Sequence, residues 1–184
     1  MKTIVHVIVG LDRGGAEMML RRLIEANLSS DSKIKHCVIT LTNLGFHGRF
    51  LQERGVAVYA MGLRSSMGLL TVGLRLTLLF RKLNPDVVQT WMVHSDLIGG
   101  VAARLAGVRS VVWGVRTTDY SVESRSTRAV RWLCARLSGV IPSKIVSAAQ
   151  ASLESSIQAG YSSKKLMVIH NGFDVAALQS YRGK

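Results

Sequence analysis

Gly14 and Gly15 stand where an apolar run, Ile4-Val5-His6-Val7-Ile8-Val9, gives way to helical spacing in Ala16, Met19, Leu20, Leu23 and Ile24. Glycines at such a handover let the backbone take unusual dihedrals and let a ligand come close. The helix start behind them offers unpaired N–H groups to an anion. Anion recognition is therefore the first chemistry on offer, and turn-making alone is the competing reading. Neither the G-x-G-x-x-G dinucleotide fingerprint nor a P-loop Gly-Lys-Ser/Thr is present. Three more segments place polar side chains directly after apolar runs. They are Trp91-Met92-Val93-His94-Ser95, the loop 114–120 with Arg116, Thr117 and Asp119, and His170-Asn171-Gly172-Phe173-Asp174. Two roles are open to His94, orienting a hydroxyl or holding its loop. His6 lies inside an apolar run and reads as a core residue, while His36 and His47 belong to no motif. Cys37 and Cys134 are far apart with no C-x-x-C or His/Cys cluster, which argues against a zinc site or a disulfide scaffold and fits a reducing compartment.

The elements that must position these residues alternate. Strands are expected at 4–9, 33–41, 56–59, 86–90, 110–113, 144–146 and 166–169. Between them fall helices from Ala16, at 47–54 closed by Gly55, and from Ser65 or Ser66 to Leu83, before Asn84-Pro85. Ser95 is placed to cap a helix over 96–106, and a basic helix reaches about Leu137. Ser147-Ala148-Ala149-Gln150 matches a capping box for a helix ending at Gly160, and Asp174 is placed to cap a last short one. Such alternation predicts an α/β fold with a doubly wound, mainly parallel sheet, in which 4–9, apolar on both sides, is central. Ligands of these sheets bind beyond the carboxyl ends of the strands. One cleft lined by the loops 10–15, 91–95, 114–120 and 170–174 follows from that rule.

The chain has 184 residues, 48% of them hydrophobic, which suits one domain with a full core. Its 24 Lys and Arg face 11 Asp and Glu, giving a net charge of +13. Such a surface attracts nucleic acid, anionic lipid heads or phosphorylated small molecules without choosing among them. Seven arginines from Arg104 to Arg136 meet only Asp119 and Glu123. No basic run with interleaved aromatics and no nucleic-acid-binding signature accompanies them, so nucleic acid is an unlikely partner. The stretch 67–80 is the most apolar, yet it is too short to span a bilayer and Arg75 interrupts it. Leu69, Val72, Leu76, Leu79 and Leu83 share one side of it, as in a helix packing on a sheet; lying on a membrane surface is the second reading. Cytoplasmic residence with loose attachment to the inner membrane face is expected.

Taken in order, several of these segments resemble the N-terminal, acceptor-side domain of the family 4 retaining glycosyltransferases with the GT-B fold. The matching residues are Gly14-Gly15-Ala16-Glu17, Asn84-Pro85-Asp86-Val87-Val88 and Gly100-Val101-Ala102-Ala103-Arg104-Leu105-Ala106-Gly107. Further on come Ile145-Val146-Ser147 and Val168-Ile169-His170-Asn171-Gly172-Phe173-Asp174, the last being the most specific. The resemblance implies a Rossmann-like half of a two-domain enzyme, with residues 1–174 as that domain and 175–184 as the start of a linker. The donor-binding half, with the paired glutamates that contact the donor sugar, is absent here, so catalytic residues are not assigned. It implies a nucleotide-diphosphate sugar as donor, a glycan or lipid-linked acceptor in cell-envelope polysaccharide synthesis, no cofactor and no metal. Substrate contacts are expected from Gly14, Gly15, Trp91, His94, Arg116, Thr117 and Asn171, with the glycine N–H groups facing the pyrophosphate. Members of the family often carry histidines where this chain has Trp91 and the Trp113–Thr117 segment. Arg116 there suits a substrate with extra negative charge, by a bidentate grip on phosphate or carboxylate, and pairing with Asp119 is the structural alternative. Two other classes stay open: a self-sufficient phosphate- or nucleotide-binding module, and a basic nucleic-acid-binding domain.

Overall fold

The computed structural model describes residues 1–30 and 33–172. Strand β1 (Lys2–Ile8) leads into α1 (Gly15–Leu28), and β2 (Ile34–Thr40) into α2 (Gly45–Glu53). Strand β3 (Ala57–Ala60) is followed by a 3-10 turn, Ser66–Gly68, and α3 (Leu69–Leu83). Then come β4 (Val87–Trp91), α4 (Val93–Leu105), β5 (Val111–Val115), α5 (Arg125–Leu137), β6 (Lys144–Ser147), α6 (Gln150–Gln158) and β7 (Leu166–Val168). The strands form one seven-stranded sheet in the order β3-β2-β1-β4-β5-β6-β7, and every pairing is parallel. Strand β1 lies inside it, with Val5 opposite Cys37 on one side and Val88 on the other.

Alternation along the strands feeds two cores. Val5, Val7, Val88, Trp113 and Ile145 pack against Leu76 and Phe80 of α3, Ala102 and Ala103 of α4 and Cys134 of α5. Ile8, Val38, Val58 and Trp91 pack against Leu20 and Ile24 of α1 and Leu51 of α2. The chain winds outward from β1 to β3, then crosses to β4 and winds outward the other way. The loops after β1 and β4 therefore diverge, and a crevice opens between them at the carboxyl end of the sheet.

Several expected boundaries move for local reasons. Helix α4 starts at Val93, so Ser95 is a buried residue of its first turn rather than a cap. Ser147 ends β6 and donates its hydroxyl to the Ala149 carbonyl at 2.9 Å, so the capping box does not form and α6 begins at Gln150. A 3-10 turn, Ser66–Gly68, intervenes before α3, so Gly68 holds the cap position expected at Ser65 or Ser66. Ser124 does cap α5, accepting the Thr127 N–H at 3.1 Å. The expected helix after Asp174 and the linker 175–184 lie outside the described residues.

Candidate functional site

The crevice is a cleft of about 630 Å³ at the ends of β1, β4 and β5. Gly10 and Asp12 line it from the first loop, His94 from the first turn of α4, and Thr117 and Asp119 from the loop after β5. Four carboxylate residues, Asp12, Glu17, Asp119 and Glu123, line this cleft, and no lysine or arginine does. In a chain of net charge +13, that is an inversion of the surface. Arg131 holds the Glu123 carboxylate at 2.8 Å. Hydrogen bonds from Ser121 keep the Asp119 carboxyl below the usual carboxylate range. Carboxylates of this kind accept hydrogen bonds from hydroxyl groups and repel phosphates.

The anion site foreseen at the glycine pair lies beside the cleft. Gly14 occupies the cap position of α1 with an extended backbone and no side-chain cap, and Gly15 is the exposed first residue of the helix. A Cβ built on Gly15 meets no atom within 4 Å, so the space beside this exposed residue is open. Over Gly14 the arrangement differs, because the Glu17 carboxylate folds back against it. An anion reaching this helix start must displace a flexible acidic side chain first.

Trp91, Arg116 and Asn171 come together, although Arg116 and Asn171 are 55 residues apart. The Arg116 guanidinium lies 4.3 Å from the Trp91 ring centroid and donates from one terminal nitrogen to Asn171 Oδ1 at 2.6 Å. Its partner is thus Asn171 rather than Asp119. Trp91 is 2% exposed, so it forms the floor under Arg116 and does not itself face the cleft. From below, Trp91 Nε1–H donates to His6 Nδ1 at 3.3 Å. That bond leaves the His6 proton on Nε2, directed at His36 Nδ1, 3.0 Å away. Burial, helped by His36, pulls the His6 pKa down to about 3, so this wire is neutral.

A second buried group escaped notice in the sequence. Asp96 is 1% exposed, and its Oδ1 accepts from the Thr90 hydroxyl and from the Gly114 N–H at 3.3 Å. Burial pushes its carboxyl up to about 8 against these two hydrogen bonds. Its Oδ2 and the Arg116 Nε are both buried without a partner, and both residues line one small cavity beneath the loop after β5. Asp96 thus ties β4, β5 and α4 together at the mouth of the cleft. Gly114 is required there, since a Cβ on it would come 2.7 Å from the Thr90 carbonyl oxygen. The available signal was an acidic residue directly ahead of the apolar run 97–103. Met92, just before α4, holds φ 70° and ψ 156°, a region that non-glycine residues rarely occupy. Among the described residues, no group of three or more His, Cys, Asp or Glu is arranged to hold a metal ion.

A Rossmann-like α/β domain with an open cleft at its switch point is one half of a GT-B architecture. The chain belongs to Glycosyltransferase Family 4, whose sequence profile matches residues 13–177. Among curated proteins none matches the sequence significantly. Among solved structures, Anabaena HepE in complex with UDP aligns with the whole chain at 21% identity and a TM-score of 0.75, half of HepE being covered. The apo lipopolysaccharide outer core galactosyltransferase WaaB aligns with 94% of the chain at 13% identity and a TM-score of 0.68; 46% of WaaB is covered. A UDP-N-acetylglucosamine 2-epimerase from Rickettsia bellii reaches a TM-score of 0.66 at 9% identity, over 100% of the chain and 48% of its own. The chain spans about half the length of these proteins, and at such identities they establish the fold alone.

Proposed function

We propose that this chain is the acceptor-side half of a retaining glycosyltransferase. It serves transfer of a sugar from a nucleotide-diphosphate sugar to a glycan or lipid-linked acceptor in cell-envelope polysaccharide synthesis. The observation that carries the reading is the charge inversion at the cleft: four carboxylate residues and no cation line it in a strongly basic chain. Such a lining favours a polyhydroxylated acceptor over a free phosphate. The UDP and UDP-glucose complexes of HepE support a nucleotide-sugar as the donor.

In this reading the donor is held mainly by a second domain facing the cleft. As the bond to the departing diphosphate breaks, negative charge grows on its oxygens and the anomeric carbon gains oxocarbenium character. The N–H groups at Gly14 and Gly15 approach the diphosphate from this side once Glu17 swings away to admit it. His94 and Thr117 orient the acceptor hydroxyl. Arg116, braced by Trp91 and Asn171, positions the loop carrying Thr117 and supplies positive charge at the cleft edge. Closure of the two halves excludes water, which otherwise screens these charges and competes as acceptor.

Steady-state kinetics of the complete two-domain enzyme test this division of labour. His94→Ala should raise KM for the acceptor by roughly tenfold, the scale of one lost hydrogen bond, with donor KM unchanged. A variant that raises donor KM alone would assign this cleft to the donor instead.

A further inference from the structure

Asp96 sits in the first turn of α4, yet its carboxyl is oriented by the sheet. Thr90 of β4 gives its hydroxyl, and Gly114 of β5 its N–H at 3.3 Å, to the same oxygen, Oδ1. The rotamer is thereby set, and the second oxygen, Oδ2, is buried with no hydrogen-bond partner. Arg116 lies two residues beyond Gly114 and is held in a similar way. Its Nη1 reaches Asn171 and its guanidinium lies over the Trp91 ring, while Nε is buried and likewise unpartnered. Both residues line one cavity of about 20 Å³ beneath the loop after β5. A buried polar atom without a partner is costly, and two of them beside one cavity ask for a shared one.

The size and lining of the cavity choose its occupant. A water molecule needs roughly 10–15 Å³ and two or more polar partners, so one water fits and a larger molecule does not. An anion in this space would lie against Asp96 and Glu123, and a cation against Arg116 and Arg131. Burial keeps Asp96 protonated at neutral pH, so its carboxyl carries a hydrogen, as Arg116 Nε does. Oδ1 already accepts two hydrogen bonds, which leaves that hydrogen on Oδ2. Two donors facing one space need an acceptor between them, and a water oxygen offers both of its lone pairs. Tyr120, Tyr161 and Glu123 bring oxygens to the same lining, where the hydrogens of that water find acceptors. Such a bridge is enthalpically nearly as good as a direct hydrogen bond.

We propose that this cavity holds one water molecule bridging Asp96 Oδ2 and Arg116 Nε, and that Asp96 acts through it as a positioning residue for Arg116. A long side chain such as Arg116 loses rotamer freedom when it is held, so each fixed contact that orients it counts. With Trp91 beneath it, Asn171 at Nη1 and the water at Nε, the guanidinium is tied to β4, β5 and the segment after β7. The side-on grip on an anion through Nε is closed by burial, and Arg116 meets substrate through its terminal nitrogens alone. Fixing Arg116 also fixes its neighbour Thr117 at the cleft. The service of that to the acceptor rests on the function proposed above; the water-bridged link does not.

A high-resolution crystal structure of the wild-type protein tests the link without any sugar substrate. Density for one water within hydrogen-bond distance of both atoms is expected; a dry cavity, or Oδ2 and Nε in direct contact, overturns the proposal. Steady-state kinetics of the complete enzyme test the positioning. Asp96→Asn presents an N–H where the acid presents its O–H, so it should keep the water and stay within about twofold of the wild-type acceptor KM. Asp96→Leu offers no donor and should raise acceptor KM about tenfold with donor KM unchanged. In an Arg116→Ala background the same change should move acceptor KM by less than about twofold, because its effect passes through Arg116. If the leucine variant does not fold, Asp96→Ala takes its place in the cycle. An undiminished effect in the Arg116→Ala background, or an Asp96→Asn enzyme as impaired as Asp96→Leu, overturns the positioning role. A complete enzyme that transfers no sugar at all would sink the function proposed above and leave the link to be decided by the density.

Discussion

Replacing Asp96 by asparagine should make the protein more stable at alkaline pH and leave it nearly unchanged at acidic pH. The carboxyl is 1% exposed, and its pKa is raised from 3.8 to about 8, chiefly by burial. Between those values the folded state holds a proton that the unfolded chain has released. Stability therefore falls as pH rises through this window, with a limiting slope of about 1.36 kcal/mol per pH unit. Asparagine has the shape of the protonated acid, keeps an oxygen for the Thr90 hydroxyl and the Gly114 N–H, and does not titrate. The stability difference between variant and wild type should thus be small below about pH 4 and grow by up to about 4 kcal/mol between pH 5 and pH 8. Local opening that wets the carboxylate limits the observable part to on the order of 2–3 kcal/mol. Urea unfolding followed by circular dichroism at a series of pH values reads this directly, and every other titrating group cancels in the difference. Parallel curves for the two proteins from pH 5 to 8 would refute the reasoning and show that Asp96 is ionised, and compensated, in the fold.

Trp91→Phe removes the donor to His6 Nδ1 and should cost about 1–3 kcal/mol in urea unfolding, the scale for an orphaned buried polar group. Gly114→Ala forces a methyl group against the Thr90 carbonyl, and the resulting backbone shift should cost roughly 1–3 kcal/mol in the same assay. Gly15→Leu meets open space, so its thermal midpoint should not fall, while the complete enzyme should lose most of its kcat/KM because the side chain blocks the diphosphate. A Gly15→Leu enzyme with normal activity would reduce the glycine pair to turn-making.

The alternation of strands and helices was readable because each strand is apolar and each crossover has a clear break. Gly55, Gly107 and Gly160 all follow helices and hold φ of +79°, +89° and +90°, as helix-ending glycines should. Ser95 and Ser147 misled because a cap is defined by backbone geometry as well as residue type. Ser95 faces the core of α4's first turn, and Ser147 is still paired in β6 with Val115 opposite. Three of the four loops, 10–15, 91–95 and 114–120, line the cleft as strand order dictates, while of the fourth only Asn171 is tied to them, through Arg116, and these pairwise contacts were hidden. Nothing local in the sequence joins Arg116 to Asn171, or Thr90 to Asp96 and Gly114. The sheet-facing side of α3 was legible from its spacing, since Val72 and Leu76 are buried and Leu79 and Leu83 pack against the core, whereas Leu69, expected with them, is exposed.

Isothermal titration of residues 1–184 with a panel of nucleotide-diphosphate sugars, alongside a radiolabelled transfer assay, tests the central claim most directly. A half-cleft that leaves the base, ribose and most of the diphosphate without a pocket should bind with millimolar affinity or worse, about 4 kcal/mol or less, and show no turnover. Micromolar binding, or any measurable transfer by this chain alone, would contradict the assignment of an acceptor half.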